Sequence, residues 1–322
     1  MLLYIAAVVV GLAVLAWSAD RFVFGASATA RHLGVSPLLV GLVIVGFGTS
    51  APEILISSIA AWQDRPGLAV GNALGSNIAN IALIIGLAAL LSPLTVRSET
   101  LRRELPVLLG ASAVALLLCL DGHLGRFDGV VLLLGLLLMV LWVVRLGLAG
   151  RDDDPLSTEF EQEMPKEIGL RASLLWTVAG LLTLVASSRL LVWGAEEIAA
   201  LLGVSDLVIG LTVVAVGTSL PELAATIASA RKGEDDMAVG NIIGSNMFNL
   251  LAVMGIPAAF APAELAPEVL NRDFPVMIGL TLAFLAMSYG FRGVGRINRF
   301  EGAILLSCFV GYQYVLYLSQ TQ

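Results

Sequence analysis

Two glutamates lie where charge is expensive. Glu53 sits in the middle of GLVIVGFGTSAPEILISSIA (41–60), and Glu222 in the middle of GLTVVAVGTSLPELAATIAS (210–229). Both runs are apolar and long enough to sit in a bilayer. A carboxylate near the bilayer centre costs about 3 kcal/mol or more, so a chain keeps one there for a partner or a function. On a helix, Thr49, Glu53 and Ser57 are spaced i, i+4, i+8 and share one face, and Thr218, Glu222 and Thr226 repeat the pattern. Asn72, Ser76 and Asn80 form a second such face, matched by Asn241, Ser245 and Asn249. Pro52 and Pro221 stand just before the glutamates. Each removes one helical hydrogen bond and should free the carbonyls of Gly48 and Gly217.

Carboxylates, hydroxyls, amide oxygens and freed carbonyls are hard donors, which suit Ca²⁺ or Na⁺ rather than Zn²⁺. Two facing carboxylates are neutralised by one Ca²⁺ or by two Na⁺. Ions that compete for one alternately exposed site make an exchanger. A buried protonated acid, bonded to a neighbour, is the bland alternative for the glutamates. Asn72, Asn77, Asn241 and Asn246 read first as helix-to-helix hydrogen-bonding residues. Ser76, Asn80, Ser245 and Asn249 read first as part of the site.

These residues need elements to hold them. The chain has 322 residues, is 58% hydrophobic and only 13% charged, against about 25% charged in soluble domains. It reads as an all-α membrane protein. Ten apolar segments can be counted, at about 2–31, 36–62, 68–92, 103–121, 127–148, 170–200, 205–230, 237–261, 273–291 and 299–319. The second and seventh are expected to be discontinuous at their prolines. The N-terminal apolar run lacks a basic flank and reads as a retained first span. Cys119 and Cys308 each lie in an apolar run and read as small core residues. No Cys/His metal spacing occurs, and no cofactor or obligatory protein partner is expected.

The chain also aligns with itself at an offset of 169. Glu53 falls on Glu222, Asn80 on Asn249, and Gly25, Ser76 and Pro106 on Gly194, Ser245 and Pro275. Between 41–82 and 210–251 there are 17 identities in 42 positions without a gap. Phe127-Asp128-Gly129 matches Phe300-Glu301-Gly302 at an offset of 173. The repeat therefore covers five spans twice: residues 1–149, then a linker at 150–169, then 170–322. Five is odd, so the second copy must be inverted. With the N-terminus outside, inside loops carry 13 basic residues and outside loops 3, so both termini are expected outside. Inverted repeats around a midplane ion site are the build of secondary transporters. The linker carries Asp152, Asp153, Asp154, Glu159, Glu161, Glu163 and Glu167 and reads as a solvated cytoplasmic connector.

GTSAPE with GSNIAN, and GTSLPE with GSNMFN, resemble the α-1 and α-2 repeats of the sodium/calcium exchangers in the cation/Ca²⁺ antiporter superfamily. The short prokaryotic calcium/sodium antiporters are the most similar, and the resemblance covers essentially the whole chain. It implies ten helices, with the second, third, seventh and eighth forming the ion-binding core and the first and sixth sliding across it. It implies that Glu53 and Glu222 are shared Ca²⁺ and Na⁺ ligands. Thr49, Ser50, Thr218 and Ser219 would add oxygens, with the backbone carbonyls of Gly46 and Ala215. Ser76, Asn80, Ser245 and Asn249 would complete the site. Ca²⁺ would leave the cytoplasm of a cell with this protein in its inner membrane, against inward Na⁺. Some relatives, including K⁺-cotransporting ones, carry Asp where Asn80 or Asn249 stands, so the two amides here argue against K⁺ dependence. The linker, of about 20 residues, has no room for the large Ca²⁺-sensing domains of animal relatives.

The alternatives are an H⁺/Ca²⁺ antiporter, a passive channel, and an intramembrane hydrolase using two acids. The hydrolase has only the carboxylates in its favour, since no GxGD, HExxH or serine-nucleophile motif is present.

Overall fold

The computed structural model describes residues 1–35, 46–148, 156, 158–159, 161, 168–289 and 294–320. The first part of the expected second span (36–45) lies outside the described residues. So do most of the linker, including Asp152, Asp153, Asp154, Glu163 and Glu167, and residues 290–293.

The described chain is almost entirely helical. In order, the elements are α1 (Leu2–His32), α2a (Gly46–Thr49), α2b (Ala51–Trp62), α3 (Pro66–Leu91), β1 (Leu94–Val96), α4 (Glu99–Cys119), β2 (His123–Leu124) and α5 (Arg126–Leu148). After the linker come α6 (Leu170–Leu202), α7a (Asp206–Thr218), α7b (Leu220–Lys232), α8 (Asp235–Phe260), β3 (Ala263–Glu264), α9 (Val269–Tyr289), β4 (Gly295–Ile297) and α10 (Arg299–Ser319). Among the described residues, 7 helices are long and apolar enough to cross a membrane, and 8 if the bent pair α7a–α7b counts as one. Two expected spans fall short of that test for visible reasons. The described part of the second is only α2a and α2b. The first turns of α4 carry Glu99, Arg102, Arg103 and Glu104.

α3 and α8 are the centre. Of their apolar windows, 78% and 89% are buried inside the protein, against 22% for α5 and 28% for α10. The peripheral helices therefore show most of their apolar surface to lipid. Cys308 belongs to that outer surface and is exposed, which corrects its reading as a core residue; Cys119 is buried. Close approach in the centre rests on glycine. A Cβ on Gly71 of α3 would meet the Leu207 carbonyl oxygen at 2.5 Å, and one on Gly210 of α7a would meet the Leu68 carbonyl oxygen at 2.6 Å. Small residues are the usual way for helices to pack where no hydrophobic effect drives them together.

α1 and α6 are longer than a bilayer needs and pack antiparallel. Gly11 faces Leu191, Gly180 faces Phe22, and Gly194 faces Tyr4. A Cβ at Gly180 would lie 2.6 Å from the backbone nitrogen of Phe22. Edge-on aromatic pairs, Tyr4–Trp193 at 5.3 Å and Trp17–Trp176 at 6.5 Å, add to the contact. This pair lies on the core through an apolar cluster that includes Leu15, Ala19, Phe22, Leu184 and Leu191 with Ala51, Ile56, Ala60 and Ile209.

Two short antiparallel ribbons, absent from the sequence-based expectation, tie the halves together. β1 pairs with β4, Leu94 opposite Ile297, and β2 pairs with β3, His123 opposite Glu264. β1 also fixes the start of α8. Asp235 accepts from the Thr95 N–H at 3.0 Å, and Asp236 accepts from the Arg97 and Ser98 N–H groups at 2.8 and 2.9 Å. Such carboxylates satisfy donors that the strand does not use and sit well at the positive end of a helix.

Two described residues of the linker, Leu156 and Glu159, are not free in solvent. Leu156 is fully buried, near Gly240. The Glu159 carboxylate accepts from the Met237 N–H at 2.6 Å, so it caps α8, whose N-cap residue Glu234 makes no side-chain capping bond. Burial pushes the Glu159 carboxyl up to about 7. The Met237 N–H opposes that shift, and Asp236, Glu234 and Asp235 add to it.

Two outcomes follow. Gly180→Val should destabilise the α1–α6 crossing by about 1–3 kcal/mol or more, because backbone cannot give way. Gly279→Ala, with open space around its Cβ among the described residues, should not. Thermal unfolding in detergent separates them. For Glu159 the folded pKa lies above the ordinary 4.5. Linker docking is therefore strongest below about pH 4.5 and weakens as pH rises to about 7. Glu159→Gln should raise the unfolding temperature at about pH 8 and do little at about pH 5. An equal shift at both would refute the assignment.

Candidate ion-binding site

The two proline-bearing segments each begin a new helix. Pro52 and Pro221 lie in the first turns of α2b and α7b, where a missing N–H is tolerated. The breaks fall at Ser50 and Ser219, and α7a and α7b meet at 44°. Neither Ser50 nor Ser219 spends its hydroxyl on capping. Both are buried, and neither oxygen has a hydrogen-bond partner among the described residues. Gly46 and Ala215 lie one turn before the breaks. Their carbonyls accept from Ser50 N and Thr49 Oγ1, and from Ser219 N and Thr218 Oγ1, at 3.1 to 3.3 Å. To face a cation, these carbonyls must share or release the threonine hydroxyls.

The glutamates come together in the interior. Glu53 and Glu222 are each 1% exposed. Glu53 is close enough to feel the charge of Glu222, and the hydroxyls of Thr218 and Ser219 stand beside its carboxylate. They do not close to hydrogen-bond geometry, and neither Glu53 oxygen has a partner among the described residues. Glu222 mirrors this arrangement. Thr49 stands beside it, Ser245 donates to its Oε1 at 3.3 Å, and its Oε2 has no partner. Each carboxylate thus meets the hydroxyls of the opposite repeat's broken helix. Among the described residues no Lys, Arg or His is buried, so no protein cation offsets the pair. Nor, among the described residues, does any group of three His, Cys, Asp or Glu side chains form a metal cluster.

α3 and α8 supply the rest. Ser76 Oγ lies 3.5 Å from Thr218 Oγ1, and Ser245 Oγ lies 3.3 Å from Thr49 Oγ1. Asn80 and Asn249 are buried, within π-helical turns at Ala79–Ile85 and Asn249–Val253. Such turns widen a helix locally and recur at functional sites. Sequence periodicity gave no sign of them. Among the described residues, Asn80 Oδ1 and both polar atoms of Asn249 have no partner. Asn72 and Asn241 spend their Nδ2 groups on structure, while Asn72 Oδ1 accepts from Thr218 Oγ1 at 3.2 Å and Asn241 Oδ1 has no partner among the described residues. Asn72 Nδ2 donates to the Glu53 carbonyl at 3.2 Å and to Ser57 Oγ at 2.9 Å. Asn241 Nδ2 donates to the Glu222 carbonyl at 3.5 Å and to Thr226 Oγ1 at 3.1 Å. They pin the glutamate-bearing helices to α3 and α8. Buried polar atoms in native proteins normally find partners. A cluster of unpartnered oxygens around two carboxylates is what a cage for a dehydrated cation requires.

Comparison with known proteins shows the family. Residues 3–145 and 172–318 match the family described as sodium/calcium exchanger protein. The putative antiporter CaxA of Alkalimonas amylolytica is 51% identical over 312 residues, covering 97% of this chain and 98% of that protein. The inner membrane protein YrbG of Escherichia coli is 43% identical over 319 residues, covering 98% of each. The solved structure of the sodium-calcium exchanger NCX_Mj, soaked with Na⁺ and Sr²⁺, superposes with a TM-score of 0.68 at 32% identity, covering 96% of this chain and 97% of that one. This integral membrane protein belongs to the sodium/calcium exchanger family.

Proposed function

We propose that the protein is a secondary active antiporter that exchanges Na⁺ for Ca²⁺ by alternating access, with Na⁺ entry driving Ca²⁺ export. One observation carries the reading. Glu53 and Glu222 are buried together with unpartnered oxygens, inside a shell of hydroxyls and amides, and no buried basic residue is described near them. Their charge calls for a cation that comes and goes. Thr49, Ser50, Thr218, Ser219, Ser76, Asn80, Ser245 and Asn249 complete the cage, with the carbonyls of Gly46 and Ala215 available once their threonines turn. Ca²⁺ favours many oxygen ligands at about 2.3–2.6 Å, so a shell of this size suits it.

The architecture we infer is ten spans in two inverted repeats, 1–149 and 170–322, joined by the linker at 150–169. The antiparallel packing of α1 on its repeat equivalent α6 supports inversion. The pairing of β1 with β4 puts the loops that carry Arg97 and Arg296 on one side, as the basic-residue count requires. That side is the cytoplasmic face of the inner membrane, with both termini opposite.

Glu53→Gln or Glu222→Gln should abolish Ca²⁺ uptake by proteoliposomes while leaving a folded protein; near-normal flux in either variant ends the site assignment. Coupling is read separately. A Na⁺ gradient without a pH gradient should drive Ca²⁺ uptake through the wild-type protein. Uptake that responds only to the pH gradient would make it an H⁺/Ca²⁺ antiporter.

A further inference from the structure

The two asparagines of the proposed cage occupy equivalent repeat positions, yet they are held differently. Asn80 Nδ2 donates to Asn246 Oδ1 at 2.9 Å, across the boundary between the halves. Both residues are fully buried. The bond occupies the donor end of Asn80 and leaves its Oδ1 unpartnered. The equivalent bond would join Asn249 to Asn77. It is not made. Asn77 Nδ2 lies instead 3.6 Å from Met277 Sδ, and among the described residues neither Asn77 Oδ1 nor either polar atom of Asn249 has a partner.

A sequence difference between the halves runs parallel to this. Met277 of α9 falls on Leu108 of α4 at the repeat offset, and both side chains are fully buried. A thioether sulfur is a weak acceptor, and a leucine side chain offers none. Asn77 therefore has a nearby acceptor for its Nδ2, which can fix the orientation of its amide while its Oδ1 stays unpartnered among the described residues. Asn246 has no such partner; its Nδ2 makes no hydrogen bond, and its Oδ1 is left for Asn80.

We propose that Leu108 and Met277 make the two asparagine ligands unequal. Asn246 is a positioning residue that fixes Asn80 with its carbonyl oxygen free for the cation. Met277 holds Asn77 aside and leaves Asn249 able to turn. This rests on the cage proposed above and adds a division of labour within it. A ligand oriented before the ion arrives loses little freedom on binding, whereas one that must turn loses more. Partners that orient a metal ligand typically change affinity by roughly 10- to 100-fold when removed.

The test is Ca²⁺ uptake by proteoliposomes holding the full-length protein, with half-saturating Ca²⁺ and maximal rate measured separately. Asn246→Ala and Leu108→Met should each raise half-saturating Ca²⁺ by roughly tenfold with little change in maximal rate. Asn77→Ala and Met277→Leu should not raise it. In the double exchange Leu108→Met/Met277→Leu the sensitivity should reverse, so that Asn77→Ala becomes the damaging change. A packing role alone would not reverse with the position of one sulfur. Equal shifts for Asn246→Ala and Asn77→Ala, or no reversal, overturn the proposal. If Asn246→Ala does not fold, the Leu↔Met exchanges, which conserve volume, decide the matter themselves; unchanged half-saturation in Leu108→Met refutes it. Glu53→Gln is assayed alongside. Transport by that variant removes the cage itself, whereas its inactivity without the asparagine asymmetry removes only this inference.

Discussion

Two like charges in a medium of low dielectric constant, with no opposite charge supplied by the described protein, are the constraint around which this molecule is built. At short range in such a medium, repulsion between carboxylates and the cost of desolvating each greatly exceed their values in water. A fold tolerates that when the compensating charge is a ligand. The shell around Glu53 and Glu222 follows from the same requirement. It presents oxygen to a cation and places hydroxyls, which both donate and accept, rather than ammonium or guanidinium groups. Thr218 and Ser219 beside Glu53, and Thr49 and Ser245 beside Glu222, can turn a hydrogen toward a bare carboxylate or a lone pair toward a metal. Hydroxyls thus keep the site tolerable both with and without its ion.

Bringing two glutamates together requires four helical segments to meet with little side-chain bulk between them. That is why Gly71 and Gly210 are needed where α3 crosses α7a. The amides of Asn72 and Asn241 then lock each glutamate-bearing segment to its neighbour through the glutamate's own carbonyl. The α1–α6 pair is joined to this core differently, largely by apolar side chains. Apolar contacts are non-directional and cost little to slide, whereas hydrogen bonds to backbone break or hold. The distribution of polar contacts therefore divides the molecule into a locked centre and a pair of helices resting on it.

Much of this was legible in the sequence because the chain states it twice. A glutamate within an apolar run is one observation. The same glutamate after the same GTS and before the same GNxxGSN, at a fixed offset, is strong evidence of common placement. Helical periodicity then put the candidate residues on shared faces, and the prolines marked the breaks at Ser50 and Ser219. What remained hidden has physical reasons. The ribbons are two or three residues long, too short for alternation to show. The π-helical turns at Asn80 and Asn249 change hydrogen-bond register without changing composition. Cys308 lies in a run as apolar as any core, but in a bilayer apolar residues face outward as readily as inward. The charge of the linker hid Leu156, whose burial, with the Glu159 cap, docks the segment on α8.

The departures from repeat symmetry carry information that the symmetry does not. In an exchanger made of two identical inverted halves, the states open to either side would have equal energy, and neither would be preferred. Here the ends differ. On one face Arg65 reaches Asp206 of α7a at 3.2 Å and Glu196 of α6 at 3.9 Å, a charged contact between the core and the α1–α6 pair. The repeat puts Glu234, an acid, where Arg65 stands, and Ser27 where Glu196 stands, so the same pair of charges is not repeated there. There the linker sits on α8 instead, through a carboxylate that has no equivalent in the first half. Partly exposed ion pairs are worth little to overall stability. A small energy that exists in one state and not in its mirror image acts entirely on the balance between them. On the proposed function, the duplicated residues form the cage, and the unduplicated contacts at its two ends are what makes one face differ from the other.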